Sequence, residues 1–247
     1  MQPLSFLELQ PLPPTPGRRG GGGKWLIAAL ITLFTGWAYA HGVAEGDASF
    51  LQSREGIHFW PYFYLGAKHM VTGYDHLLFL AAVIFFLYRL TEIATYVTLF
   101  AVGHSITLIA GVWWNIPANA YIIDAIIGFS IVYKAFENLG GFRRLGFTPN
   151  TKVAVWVFGL FHGFGLATKL QALNISPDGL LPNLLAFNLG VEAGQLVALL
   201  GIVVLVNLWR RGASFGSQAQ VANGLIMTAG YVFLFYQLSG YVLEPAI

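Results

Sequence analysis

Three ionisable side chains, His69, Asp75 and His76, head an otherwise apolar run, HMVTGYDHLLFLAAVIFFLYRL. Comparable runs carry His104 in VGHSITL, Asp124, His162 in GLFHGFGLA, and Asn188, Glu192 and Gln195 in FNLGVEAGQ. A charged group at the centre of a membrane helix costs roughly 2.5 to 3.5 kcal/mol on insertion scales, so several of them are expected to face one another and not lipid. On a continuous helix, His69 and His76 share one face, and Asn188, Glu192 and Gln195 form one stripe at i, i+4 and i+7. Imidazole and carboxylate without any cysteine make a ligand set for Ni(II), Co(II), Zn(II) or Cu(II), and a poor one for Cu(I). Asp75 is either a ligand or the acceptor that orients the His76 imidazole. Any one of these histidines alone reads as a buried, hydrogen-bonded side chain. His69, Asp75, His76, His104, His162 and Glu192 together read as a metal path.

The elements that must position these groups follow from composition. With 56% apolar residues, 10% charged residues and a mean hydropathy of +0.65, the chain falls outside the soluble globular range. Apolar runs at about 66–88, 93–114, 118–136, 152–172, 182–208 and 222–242 match the roughly 30 Å hydrocarbon thickness. The expected fold is all-α: a polytopic integral membrane helical bundle of about six transmembrane helices after a cleaved signal peptide. Residues 1–40 read as that signal peptide, with GRRGGGGK, an apolar WLIAALITLF and AYA before His41. An uncleaved extra helix is the alternative. Residues 41–58 form a short extracytoplasmic segment and 59–247 the membrane domain. If cleavage follows Ala40, the α-amine and imidazole of His41 can chelate a metal.

Basic residues follow the odd-numbered runs: Arg89, then Arg143, Arg144 and Lys152, then Arg210 and Arg211. The positive-inside rule makes those loops cytoplasmic and places both mature termini outside the bacterial inner membrane. On that topology the ionisable groups occupy the outer half to the midplane, with Asp75 and His76 about 10 Å deeper than His69. The inner half holds nothing comparable. Glycines beside these groups, among them Gly73, Gly103, Gly159, Gly163, Gly165, Gly190 and Gly194, would let helix backbones approach closely. The net charge of +2, concentrated near the N-terminus, gives no sign of a nucleic-acid partner.

The H-x5-D-H pattern at His69, Asp75 and His76, together with GHSITL, FHGFG and FNLGVEAGQ, resembles the HupE/UreJ family of bacterial membrane proteins over about residues 58–240. The resemblance implies a nickel permease or metal transporter serving hydrogenase and urease maturation, with metalloenzyme maturation proteins as partners. It also implies that His69, Asp75 and His76 belong to the metal path. The GHS at His104 is similar, more weakly, to separate nickel/cobalt permeases. Nickel-type members follow F-H-G with a second His and a Glu. Leu166 and Lys169 stand there, as in a second branch of the family. Asp124 stands where many relatives have Glu.

These observations lead to a permease that takes a hydrated divalent cation from outside, captured first by His41 or His58. His69 and Asp124 would form the entrance, and Asp75, His76, His104, His162 and Glu192 would exchange water for ligands at the midplane. No nucleotide-binding loop occurs, so transport would be facilitated or ion-coupled. Two alternatives use the same residues: an intramembrane Zn-dependent hydrolase, and a non-transporting metal-delivery or assembly factor.

Overall fold

The computed structural model describes residues 55–173 and 175–243. The signal peptide, its cleavage after Ala40, His41 and the segment up to residue 54 lie outside the described residues. What is described is all-helical, with no strand among the described residues: α1 (Phe59–Thr72), α2 (Tyr74–Ile84), α3 (Leu90–Trp113), α4 (Ala120–Asn138), α5 (Gly141–Arg144), α6 (Thr151–Gln171), α7 (Leu180–Arg210) and α8 (Phe215–Leu243).

Among the described residues, α3, α6, α7 and α8 are long and apolar enough to cross a membrane. α4, with 19 residues, carries Asp124, Lys134 and Glu137, which sets it apart from those four in polarity. The first apolar run differs from the expected single helix. It begins at Phe59 and breaks at Gly73, whose backbone is extended (φ −72°, ψ 102°) between α1 and α2. The Gly73 N–H donates to the His69 carbonyl at 2.8 Å, and the Leu77 N–H donates to the Gly73 carbonyl at 3.1 Å, so the two helix ends stay bonded across the break. Asp75 lies in the first turn of α2, where a carboxylate complements the helix dipole.

Side-chain caps fix two other starts. Asn119 accepts from the Ile122 N–H, and Asn150 accepts from the N–H groups of Lys152 and Val153. Gly179, at the start of α7, is left-handed (φ 71°), a conformation that favours glycine.

Helices pack chiefly in three pairs, α1 on α7, α3 on α6 and α4 on α8, and glycines bring their backbones together. A Cβ at Gly159 would meet the Phe100 carbonyl at 2.5 Å, one at Gly194 the Ala67 carbonyl at 2.6 Å, and one at Gly128 the Leu234 nitrogen at 2.7 Å. Helices in lipid gain little from hydrophobic association, and such close approach supplies van der Waals contact in its place. At the α3–α6 seam the Thr107 hydroxyl donates to the Leu160 carbonyl across the pair at 2.6 Å.

A second polar cluster lies where the sequence reading expected none. Lys134 pairs with Glu137 at 2.6 Å, and the Thr151 hydroxyl donates to the other Glu137 oxygen. The Asn138 amide donates to the Ala82 carbonyl and the Asn223 Oδ1, both at 2.8 Å. Glu137, Asn138 and Thr151 lie at helix ends, where hydropathy along the chain does not mark them as partnered.

Candidate metal centre

The break at Gly73 sets the geometry of the centre. In place of two histidines at different depths on one helix, the His69 and His76 rings meet edge to face with centroids 5.1 Å apart. A Cβ on residue 73 would sit 2.8 Å from His76 Nδ1, 3.0 Å from the His69 carbonyl and 3.1 Å from Asp75 Oδ1. Only a residue without a side chain leaves that space.

His76 is the hub. Its centroid lies 5.1 Å from that of His162 on α6 and 5.8 Å from that of His104 on α3, besides its contact with His69. Exposure of His76, His104 and His162 is 2% or less, which shields them from bulk water. The His76 Nδ1–H donates to Asp75 Oδ1 at 3.1 Å, and the His162 Nδ1–H donates to the Phe158 carbonyl at 2.7 Å. With Nδ1 committed as a donor, Nε2 of each ring carries the lone pair. His69 Nε2, His76 Nε2, His162 Nε2 and both nitrogens of His104 are buried without a hydrogen-bond partner. Buried polar atoms are nearly always paired, and the unpaired ring nitrogens, one of them on each of His76 and His162 a lone-pair acceptor, concentrate around His76.

A metal-bound imidazole has its nitrogen about 2.0 to 2.1 Å from the ion, which puts two tetrahedral ligands' ring centroids about 5 Å apart. The His69–His76 and His76–His162 separations match that spacing. The donor atoms themselves do not converge: among the described residues, no three His, Asp or Glu side chains are set to hold an ion in their present rotamers.

The centre rests on aromatic rings. Phe79 and Phe100 lie 5.2 and 5.0 Å from the His162 ring and 5.4 Å from each other, and Phe79 continues at 5.9 Å to Phe158. From Phe158 the column passes to Tyr133 and Phe142, the latter lining a cavity of about 430 Å³ with Glu137, Arg143 and Thr151.

Other candidate residues stand apart. Asp124 on α4 is buried and bonded to Lys169 on α6, Oδ2 to Nζ 3.1 Å, so the carboxylate expected at the entrance already has a cation. Glu192 lies in a cleft between α3 and α7 whose lining includes none of the histidines. It accepts from the Asn188 amide at 3.3 Å. The His58 Nε2–H donates to the Glu55 carbonyl at 2.9 Å, and its backbone N–H is held by Asn183 Oδ1 at 2.7 Å, which ties the start of α1 to α7.

Sequence reasoning missed three features of this arrangement. They are the Lys169–Asp124 pair, the phenylalanine floor, and the Arg210 guanidinium, which donates to the carbonyls of Ile84, Phe85 and Leu87 at the end of α2. An arginine twelve or more residues past the centre of a helix is read as a flank, and only the tertiary fold reveals its reach.

No curated protein and no solved structure matches the chain. A family model described as HupE / UreJ protein, the second of that name, matches residues 45–245. That match spans most of the sequence and all of the described helices, and the chain therefore belongs to the HupE/UreJ family, which is associated with nickel and cobalt transport or metal handling in urease and hydrogenase maturation.

Proposed function

We propose that this chain is a permease for a nickel-like divalent cation in the bacterial cytoplasmic membrane, supplying metalloenzyme maturation. The observation that carries the reading is His76: three further imidazoles surround it, and unpartnered ring nitrogens concentrate there. His69, His76, His104 and His162 bind the ion after small side-chain rotations. Asp75 orients His76 and supplies the negative charge that offsets a buried dication. Neutral imidazoles hold a borderline cation while letting it leave, which transport requires and a structural site does not.

Lys169 takes Asp124 out of the ligand set by pairing with it. His41, at a cleaved N-terminus, serves as the first capture point. Glu192 has no role in holding the dication.

In this reading α1 and α2 form one discontinuous span and α4 a polar one, which with α3, α6, α7 and α8 makes six. Broken helices in transporters place backbone and side-chain ligands at mid-membrane depth, because irregular backbone is tolerated there only where protein surrounds it.

Sealed vesicles holding only the purified protein test this. Radioactive nickel or cobalt should enter wild-type vesicles and fail to enter His76→Ala vesicles. Saturable binding to the protein without uptake would replace the permease with a delivery factor, and no binding at all would remove the metal reading.

A further inference from the structure

A second site lies away from the histidines, on the face that α3 and α7 turn to lipid. Here a cleft of about 460 Å³ is lined by Glu192, Asn188, Gln195, Thr98 and Ser105 among aliphatic side chains. Glu192 lies about 18 Å along α7 from its outer end, close to mid-membrane. Exposed Leu189, Leu196 and Val197 on α7 and Val102 and Ile106 on α3 surround the cleft, as expected of a lipid-facing surface. A carboxylate at that depth ordinarily faces the bundle interior or pairs with a cation. The contact seen for Glu192 is with the amide of Asn188, one turn away on the same helix.

Asn188 adds an independent observation. It is 7% exposed, and its Oδ1 is buried with no hydrogen-bond partner while the residue lines the cleft. Both groups that need a partner are therefore oxygen acceptors. Their shared complement is a cation.

We infer that Glu192 and Asn188, with Ser105 and Thr98 beside them, form a binding site for a monovalent hard cation of the sodium class, distinct from the histidine centre. Carboxylate, amide carbonyl and hydroxyl oxygens make an all-oxygen donor set, which suits hard cations and offers nothing to the nitrogen-seeking metals. One carboxylate balances one positive charge, and a dication would leave a buried charge unmatched. A proton on Glu192 is the competing occupant, because a carboxyl group can both donate to and accept from the Asn188 amide, and the fixed pH of the test below holds that competition constant. The cleft has room for the ion to keep part of its water shell. A site on a lateral cleft at mid-depth is suited to a coupling ion, a use that rests on the permease reading while the binding itself does not.

Thermal unfolding of the full-length protein in detergent, at fixed pH and ionic strength, tests the site without metal. Sodium chloride should raise the midpoint by about 5 °C at saturation relative to choline chloride. Glu192→Gln should abolish the rise, and Asn188→Ala should increase the half-saturating sodium concentration about 10-fold or more. Should either variant prove unstable, sodium-23 line broadening on the wild-type protein, reversed by excess lithium and not by choline, reads the site directly. Equal midpoints in sodium and choline, or a sodium rise that survives in Glu192→Gln, overturns the inference. A Glu192→Gln protein that changes only its oligomeric state, with sodium inert on both proteins, also overturns it and assigns the cleft to a subunit contact. Cobalt uptake without a sodium shift removes this site and leaves the permease standing; a sodium shift without uptake does the reverse.

Discussion

Gly73 concentrates the chemistry of the centre in one missing side chain. A Cβ there would press on His76 Nδ1 at 2.8 Å and crowd the His69 carbonyl and Asp75 Oδ1 at 3.0 and 3.1 Å, and the first two belong to a buried ring and to backbone. Gly73→Ala should therefore cost about 1 to 3 kcal/mol in stability through overpacking and weaken metal binding by displacing the His76–Asp75 pair. Isothermal titration with cobalt, alongside thermal unfolding, checks it; unchanged affinity would mean that the pair does not position the site. The histidines should behave as a unit. His76→Ala and His162→Ala should each remove most metal binding, with the double variant little worse than either. Independent interhelical hydrogen bonds would instead add, at about 0.6 kcal/mol each. That these histidines lie together was legible because an ionisable group inside an apolar run is conspicuous whatever the fold. Their arrangement was not. Gly73 is one glycine in a chain with 29, and glycine is frequent in membrane helices, so nothing local says that this one ends α1 and brings His69 against His76. The bonding of Asp124 to Lys169, 45 residues away in sequence, is likewise a tertiary fact.

α2 is short for an element that carries half the centre. Its 11 residues give roughly 16 Å of helix, less than a bilayer crossing, and its N-terminal turn holds Asp75 and His76. What fixes its other end is Arg210. One guanidinium nitrogen donates to the Leu87 carbonyl at 2.7 Å and the other to the Ile84 carbonyl at 3.0 Å, while its carbon lies 4.2 Å from the Tyr88 ring centroid. A helix leaves its last four carbonyls unbonded, and a planar fork satisfies several together where a lysine ammonium acts as a single point charge. Arg210→Lys should destabilise the protein by about 1.5 to 3 kcal/mol, the range for hydrogen bonds to a charged donor, and should loosen α2 enough to weaken cobalt binding. Arg211→Lys next door, an exposed position, should change neither quantity. If both substitutions behave alike in unfolding and titration, the fork has no positioning role. The element boundaries follow the same division as the residues. Long uniform runs such as α7 and α8 were readable from hydropathy, whereas the ends of α2 depend on a glycine and an arginine 137 positions apart.

Across the whole molecule, the way α1, α2 and α4 cross decides where every site lies. Residues 59–84 measure about 39 Å as helix, enough for one crossing of a roughly 30 Å hydrocarbon core if α1 and α2 run on in one direction. If they instead turned back as a re-entrant pair, Arg89 would emerge on the side of the mature N-terminus, and every later loop would invert. The basic residues gather on one side in either case, and what separates the two is the side on which the mature N-terminus lies. With a single crossing, Arg89, Arg143, Arg144, Lys152, Arg210 and Arg211 all gather on one side, and Lys169 at the opposite end of α6 is bound to Asp124 and adds no free charge to the outer loops. Basic residues near helix ends resist translocation, so that side is the one expected to be cytoplasmic. A reporter active only in the cytoplasm should consequently work when fused after Arg144 or Arg211, and should fail when fused after Trp114 or after Ile247. Activity after Ile247 would mean an odd number of crossings downstream of an outside N-terminus and would remove the six-span arrangement. Activity after both Trp114 and Arg144 would show that α4 stays on one side of the membrane. In that case Asp124 and Lys169 could not flank a mid-membrane centre, and the depth assigned to the histidines on α3 and α6 would have to be abandoned with it.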